Sequence, residues 1–78
     1  MEQMAARGVT IAHIRAALLT PVYREATYQD REAIYGPDVL GRTLKVIAVI
    51  GAMPRYIITV IWNDTSRVQR LIARRRST

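Results

Sequence analysis

Apolar residues recur along this chain at two spacings. Between Thr10 and Pro21, Ile11, Ile14, Leu18 and Leu19 fall at i, i+3, i+7 and i+8, the stripe of an amphipathic helix. Thr10 serves as its N-cap and Pro21 halts it, while His13 lies beside the stripe. Ahead of it, MEQMAARG reads as the end of an earlier helix closed by Gly8, because glycine takes the left-handed conformation that ends a final turn. From Val22 the period shortens. VYREATY and EAIYG place β-branched and aromatic residues at near-alternate positions around a turn at Gln29-Asp30-Arg31. GPDVLG reads as loop, and GRTLKVIAVI and RYIITVIW as two more strands around Gly51-Ala52-Met53-Pro54. Asn63-Asp64-Thr65-Ser66 then opens a last helix with the narrow seam Val68, Leu71 and Ile72. The order ααββββα predicts an α+β fold, with two N-terminal helices packed on a four-stranded antiparallel sheet. Residues 1–66 form the domain and 67–78 a basic C-terminal helix or tail.

The third and fourth strands are apolar on too many positions for a sheet with one wet side. A loop over residues 51–54 sets Ile50 opposite Arg55. Leu44, Val46, Ala48, Ile50, Ile57, Thr59 and Ile61 then share one face, and Lys45, Ile47, Val49, Tyr56, Ile58, Val60 and Trp62 the other. A sheet covered on one side alternates apolar with polar, whereas both of these faces are mostly apolar. Leaving Ile47, Val49, Ile58, Val60 and Trp62 wet forfeits several kcal/mol in a domain with few to spare. These five are therefore the expected partner interface. A second subunit, a partner protein or the C-terminal helix folded back would each cover them.

Length and composition narrow the class. A chain of 78 residues allows one domain with a thin core. Half its residues are apolar and 23% are charged, the balance of a globular domain rather than a disordered tail. The absence of cysteine excludes a disulfide framework, thiolate metal sites and thiol catalysis, and fits a reducing compartment. Lys45, Gly51, Pro54 and Arg55 interrupt the longest apolar window, so no membrane-spanning helix is expected. With no secretory signal, the expected location is cytoplasmic. Glu25, Asp30, Glu32 and Asp38 cluster around turns without metal-ligand spacing, and there is no nucleotide loop, zinc pattern or nucleophile elbow. No metal and no small-molecule cofactor are expected.

Charge is more informative. Residues 67–78 hold Arg67, Arg70, Arg74, Arg75 and Arg76 and no acid, whereas the first 66 residues carry 7 basic and 6 acidic side chains. Arginine outnumbers lysine eleven to one, and its planar fork suits phosphate or carboxylate. Arg67, Arg70 and Arg74 fall on one helix face, leaving Val68, Leu71 and Ile72 to dock. An acidic partner follows: RNA, DNA or an acidic protein.

MAARGVTIAHIRAALLTP resembles the opening of the small bacterial domain of unknown function 4258 family, with Met4, Arg7, Gly8, Val9, Thr10, Ile14, Ala17, Leu18 and Pro21 in place. GRTLKV is similar to that family's later strand at Gly41, Arg42, Leu44, Lys45 and Val46, and ITVIW to its last strand at Ile58 to Trp62. Gln3 stands where the family usually has arginine, and the family's His-Ala pair would fall before Met1. The BrnT toxins are similar in outline, and both groups resemble the RelE-like toxin fold. That resemblance implies a metal-independent ribonuclease of a bacterial toxin-antitoxin module, held silent by an antitoxin. Such cleavage needs a base for the 2′-OH proton, cations for the phosphorane and an acid for the leaving oxygen. Lys45, Arg42 and Arg7 are the catalytic candidates on this reading, and Arg67, Arg70, Arg74, Arg75 and Arg76 the RNA contacts. Lys45 also fits a snorkelling edge residue, Arg42 and Arg7 solvated loop cations, His13 a structural helix residue, and the four tyrosines strand packing. The competing reading is a non-catalytic domain that binds nucleic acid or protein and oligomerises through its sheet.

Overall fold

The computed structural model describes residues 8–77. Helix α1 spans Ile11–Leu19, strands β1 to β4 span Tyr23–Ala26, Arg31–Val39, Arg42–Val49 and Ile57–Asp64, and helix α2 spans Thr65–Arg76. The strands pair antiparallel in chain order, so the sheet is a simple meander. The α+β class and the four-stranded antiparallel sheet agree with the sequence pattern, but the helices are arranged differently. Among the described residues, one helix precedes the sheet and one follows it, and the two lie on opposite faces rather than on one. The helix expected over MEQMAARG lies outside the described residues. Among the described residues, no helix is long and apolar enough to cross a membrane.

Helix α1 begins as its sequence dictates. Thr10 Oγ1 accepts from the His13 backbone N–H at 3.2 Å, and His13 Nδ1 accepts from the Thr10 N–H at 3.3 Å, a reciprocal capping box. His13 is thereby a structural residue of the first turn. The helix packs on the sheet through Ile14 and Ala17, with Leu18 at the margin, while Ile11 and Leu19 stay exposed. Gly36 explains that rotation: a Cβ on it would come within 2.9 Å of the Ala17 Cβ, so helix and strand meet where both side chains are minimal.

Two bulges set the faces. Gly36 and Pro37 together oppose Leu44, and β2 continues through residues expected to be loop, because the irregularity accommodates a proline that has no N–H to donate. Only Leu40-Gly41 turn, both with positive φ, as a two-residue hairpin requires. In β4, Ile58 is the extra residue between the pairs Ala48↔Ile57 and Ile47↔Thr59. That single insertion overturns the expected face assignment. Val60 pairs with Val46 and Trp62 with Leu44, which moves both onto the α1 side, while Thr59 and Ile61 turn to the α2 side. The shift exchanges the Thr59 hydroxyl for Val60 and Trp62 in the core, sparing an unpaired polar group there.

Each face thus has its own core. Val9, Ile14, Ala17, Ile34, Leu44, Val46, Ala48 and Val60 pack beneath α1, with Ile57 and Trp62 against them. Ala33, Tyr35 and Val68 form a smaller cluster beneath α2, with Tyr23, Ile47, Leu71 and Ile72 against it. The C-terminal helix folds back over the second apolar face, one of the three covers the sequence pattern admits.

Candidate nucleic-acid interface

Helix α2 owes its position to both of its ends. Asp64 Oδ1 accepts from the backbone N–H groups of Ser66 at 2.9 Å and Arg67 at 3.4 Å, capping the first turn. Thr65 Oγ1 donates to Asp38 Oδ1, which leaves buried Thr43 to donate to Thr65 across 2.9 Å. The Thr65 N–H donates to the Gly41 carbonyl at 2.9 Å, and the Gly41 N–H to Asp38 Oδ1 at 3.1 Å. This network fastens the start of α2 to the β2–β3 turn. At the far end, Arg75 Nε donates to Glu25 Oε2 on β1 at 3.0 Å, so the helix crosses the sheet. That hydrogen bond and the carboxylate charge raise the Arg75 pKa.

Between these anchors Val68, Leu71 and Ile72 face the sheet, and the arginines divide by angle, at about 100° per residue. Arg67, Arg70 and Arg74 share one exposed flank and make no ion pair among the described residues. Arg75 lies between helix and sheet edge against Glu25, and Arg76 lines the opposite flank beside Val22, Asp38 and Gln69. The five arginines expected to act together are therefore three in a row, one in an ion pair and one apart.

Lys45 extends the row. It stands on the α2 side of β3 with its Nζ 5.8 Å from the centre of the Tyr35 ring, and it has no ion pair among the described residues. Lys45, Arg67, Tyr35, Asn63, Val68 and Leu71 line a cleft of about 90 Å³. Two cations from different elements and an amide thus converge beside the Tyr35 ring on an apolar floor, with no carboxylate in the lining. Burial raises the Tyr35 pKa, as does the nearby Glu25 charge. Asn63 was expected in a turn; it pairs with Thr43 at the end of β4, and strand parity alone puts it on the Lys45 face. Next to this cleft, Asp64, Ser66, Arg67 and Arg70 line a shallower hollow.

The model of a family described as a domain of unknown function, DUF4258, matches residues 1–62. The chain belongs to this family. No curated protein and no solved structure matches it. The DUF4258 match ends at Trp62, so Lys45 and Tyr35 lie within the family segment and the arginine row of α2 lies beyond it.

Within the DUF4258 segment the other catalytic candidates fall elsewhere. Arg42 and Lys45 are three positions apart in one strand, an odd separation that puts them on opposite sheet faces. The Arg42 guanidinium lies 4.5 Å from the centre of the Trp62 ring, which the His13 imidazole also meets, edge-on at 5.1 Å. Arg42 thus braces Trp62 on the α1 side. Arg7 lies outside the described residues. The five residues expected to form one partner interface are likewise divided. Val60 is buried and Trp62 half-buried beneath α1, Ile47 packs beneath α2 with Val49 on the same sheet face, and Ile58 occupies the bulge.

Proposed function

We propose that this chain binds single-stranded RNA along the flank of α2, with Arg67, Arg70 and Arg74 following the phosphates and Lys45 holding one phosphate in the cleft beneath. The observation that carries this reading is the run of four cations on a docked helix and its strand, where the neighbouring carboxylate, Asp64, is held as the helix cap. Glu25, Glu32, Asp38 and Asp64 are all engaged elsewhere, in ion pairs, a turn and a helix cap. The sequence likeness to RelE-like domains points the choice of polyanion to RNA. Four phosphate contacts on a single strand give a slope of log K against log salt of about −3. The test is fluorescence anisotropy with a labelled single-stranded RNA over a salt series. Replacing Arg70 and Arg74 by Gln, both exposed, should roughly halve that slope. Absence of binding at low salt, or an unchanged slope in the double variant, refutes the reading.

A second reading is favoured by the composition of the cleft itself. Lys45 and Arg67 are suited to hold the charge of a phosphorane, with water taking the 2′-OH proton and supplying one to the leaving oxygen. The chain would then be the metal-independent ribonuclease toxin of a toxin-antitoxin module, with Arg42 outside the reacting group. RNA turnover abolished by Lys45→Met while binding persists would select this reading. Intact RNA after prolonged incubation with the wild-type chain would remove it.

A further inference from the structure

On the other side of the sheet, a groove of about 340 Å³ lies between α1 and the β3–β4 loop, lined by Ile11, Ile14, Arg15, Leu18, Leu19 and Arg55. Ile11 is 65% and Leu19 72% exposed, although both belong to the apolar stripe of the helix. The rotation that seats Ala17 on Gly36 turns them away from the core and leaves them flanking Arg15. The rim is basic. Arg15 makes no ion pair among the described residues, and Arg55 shares the single carboxylate of Glu32 with Arg24. Three arginines around one acid leave a net positive field over an aliphatic floor.

We infer that this groove docks an acidic amphipathic helix of a partner protein. Its apolar positions would lie on Ile11, Ile14, Leu18 and Leu19, and its carboxylates against Arg15 and Arg55. The chemistry disfavours the other occupants. Among the described residues, a second copy of this chain supplies no matching segment, because Glu25, Glu32, Asp38 and Asp64 are committed and Asp30 sits in a tight turn with positive φ. RNA is poorly served by a lining that has no aromatic side chain on which a base could stack. The inference is independent of RNA binding, since it concerns the opposite face.

The test is an anisotropy titration of the full chain with a labelled helical peptide that carries Leu at i, i+3, i+4 and i+7 and Glu on both flanks. A twin peptide with Lys in place of Glu is the control. The Glu peptide should bind about tenfold tighter than its twin, and Leu19→Ser should weaken it by about as much. Arg15→Glu should narrow or reverse the preference. Ile11→Ser provides a second apolar variant, and circular dichroism confirms that each variant folds. Equal binding of the two peptides, no binding of either, or undiminished binding to Leu19→Ser and Ile11→Ser overturns the inference. A dimer that Leu19→Ser dissociates would assign the groove to a second copy, and loss of RNA binding in Leu19→Ser would assign it to RNA; either result overturns it too.

Discussion

Tyr35 shows how much one position can be asked to do. Its ring is buried beneath α2, 6.0 Å from that of Tyr23, with the Lys45 ammonium over its face at the cationic cleft. Burial raises its pKa above the ordinary value of 10.0. For a raised pKa, the unfolded chain loses its proton first as pH rises. The contribution to stability is therefore complete below pH 10 and declines between that pH and the folded-state pKa. Tyr35→Phe should flatten this alkaline loss, read as urea midpoints from neutral pH to above pH 10. An unchanged alkaline slope would show that Tyr35 is not the titrating group. Lys45 and Arg42 carry the opposite lesson: both are cations in one strand, yet parity places one over the α2 cleft and the other against Trp62. That separation was legible from their spacing, which period-2 geometry makes decisive.

Helix α2 is too short to persist alone, since isolated helices of about 12 residues are marginal in water. It exists because Asp64 caps it, Thr65 ties it to Asp38 and Thr43, and Val68 buries against Ala33 and Tyr35. Asp64→Ala should cost about 1 kcal/mol by urea denaturation, and Asp64→Ser should recover most of that. If Asp64→Ala leaves stability unchanged, the cap contributes nothing to docking. The starts of both described helices were readable, Thr10 as the cap and Asp64 as one of the candidates in Asn63-Asp64-Thr65-Ser66, because each acts on backbone groups two or three residues away. Strand register was not. The Ile58 bulge depends on how the whole β3–β4 ribbon meets α1, and no local signal in RYIITVIW marks Ile58 as the extra residue. The same holds for Gly36-Pro37, which reads as loop in isolation and becomes strand once Leu44 lies opposite it.

For the molecule as a whole, the two described helices divide the work that one layer could not do. The sheet is apolar front and back, and α1 and α2 each bury one side of it. Ile47 and Trp62, expected to need a companion chain, lie beneath opposite helices of the same chain. The chain should accordingly sediment as a monomer at micromolar concentration without RNA or peptide. A stable dimer would mean that residual apolar surface, Ile61 included, is enough to hold two copies together. The fold also separates two chemistries, an arginine row on the α2 side and an aliphatic, basic-rimmed groove on the α1 side. RNA and a partner protein would thus meet different faces.

The sequence by itself determined the class of fold, the sheet apolar on both faces, the helix caps and the charge of the last twelve residues. Those follow from short-range spacing and from composition, which no packing arrangement can change. Tertiary structure decided which face each strand residue occupies, because one inserted residue inverts every position beyond it. It also decided which cations stand together, since that depends on the angle at which α2 crosses the sheet, and on Gly36 and Ala17 meeting closely enough to turn Ile11 and Leu19 outward.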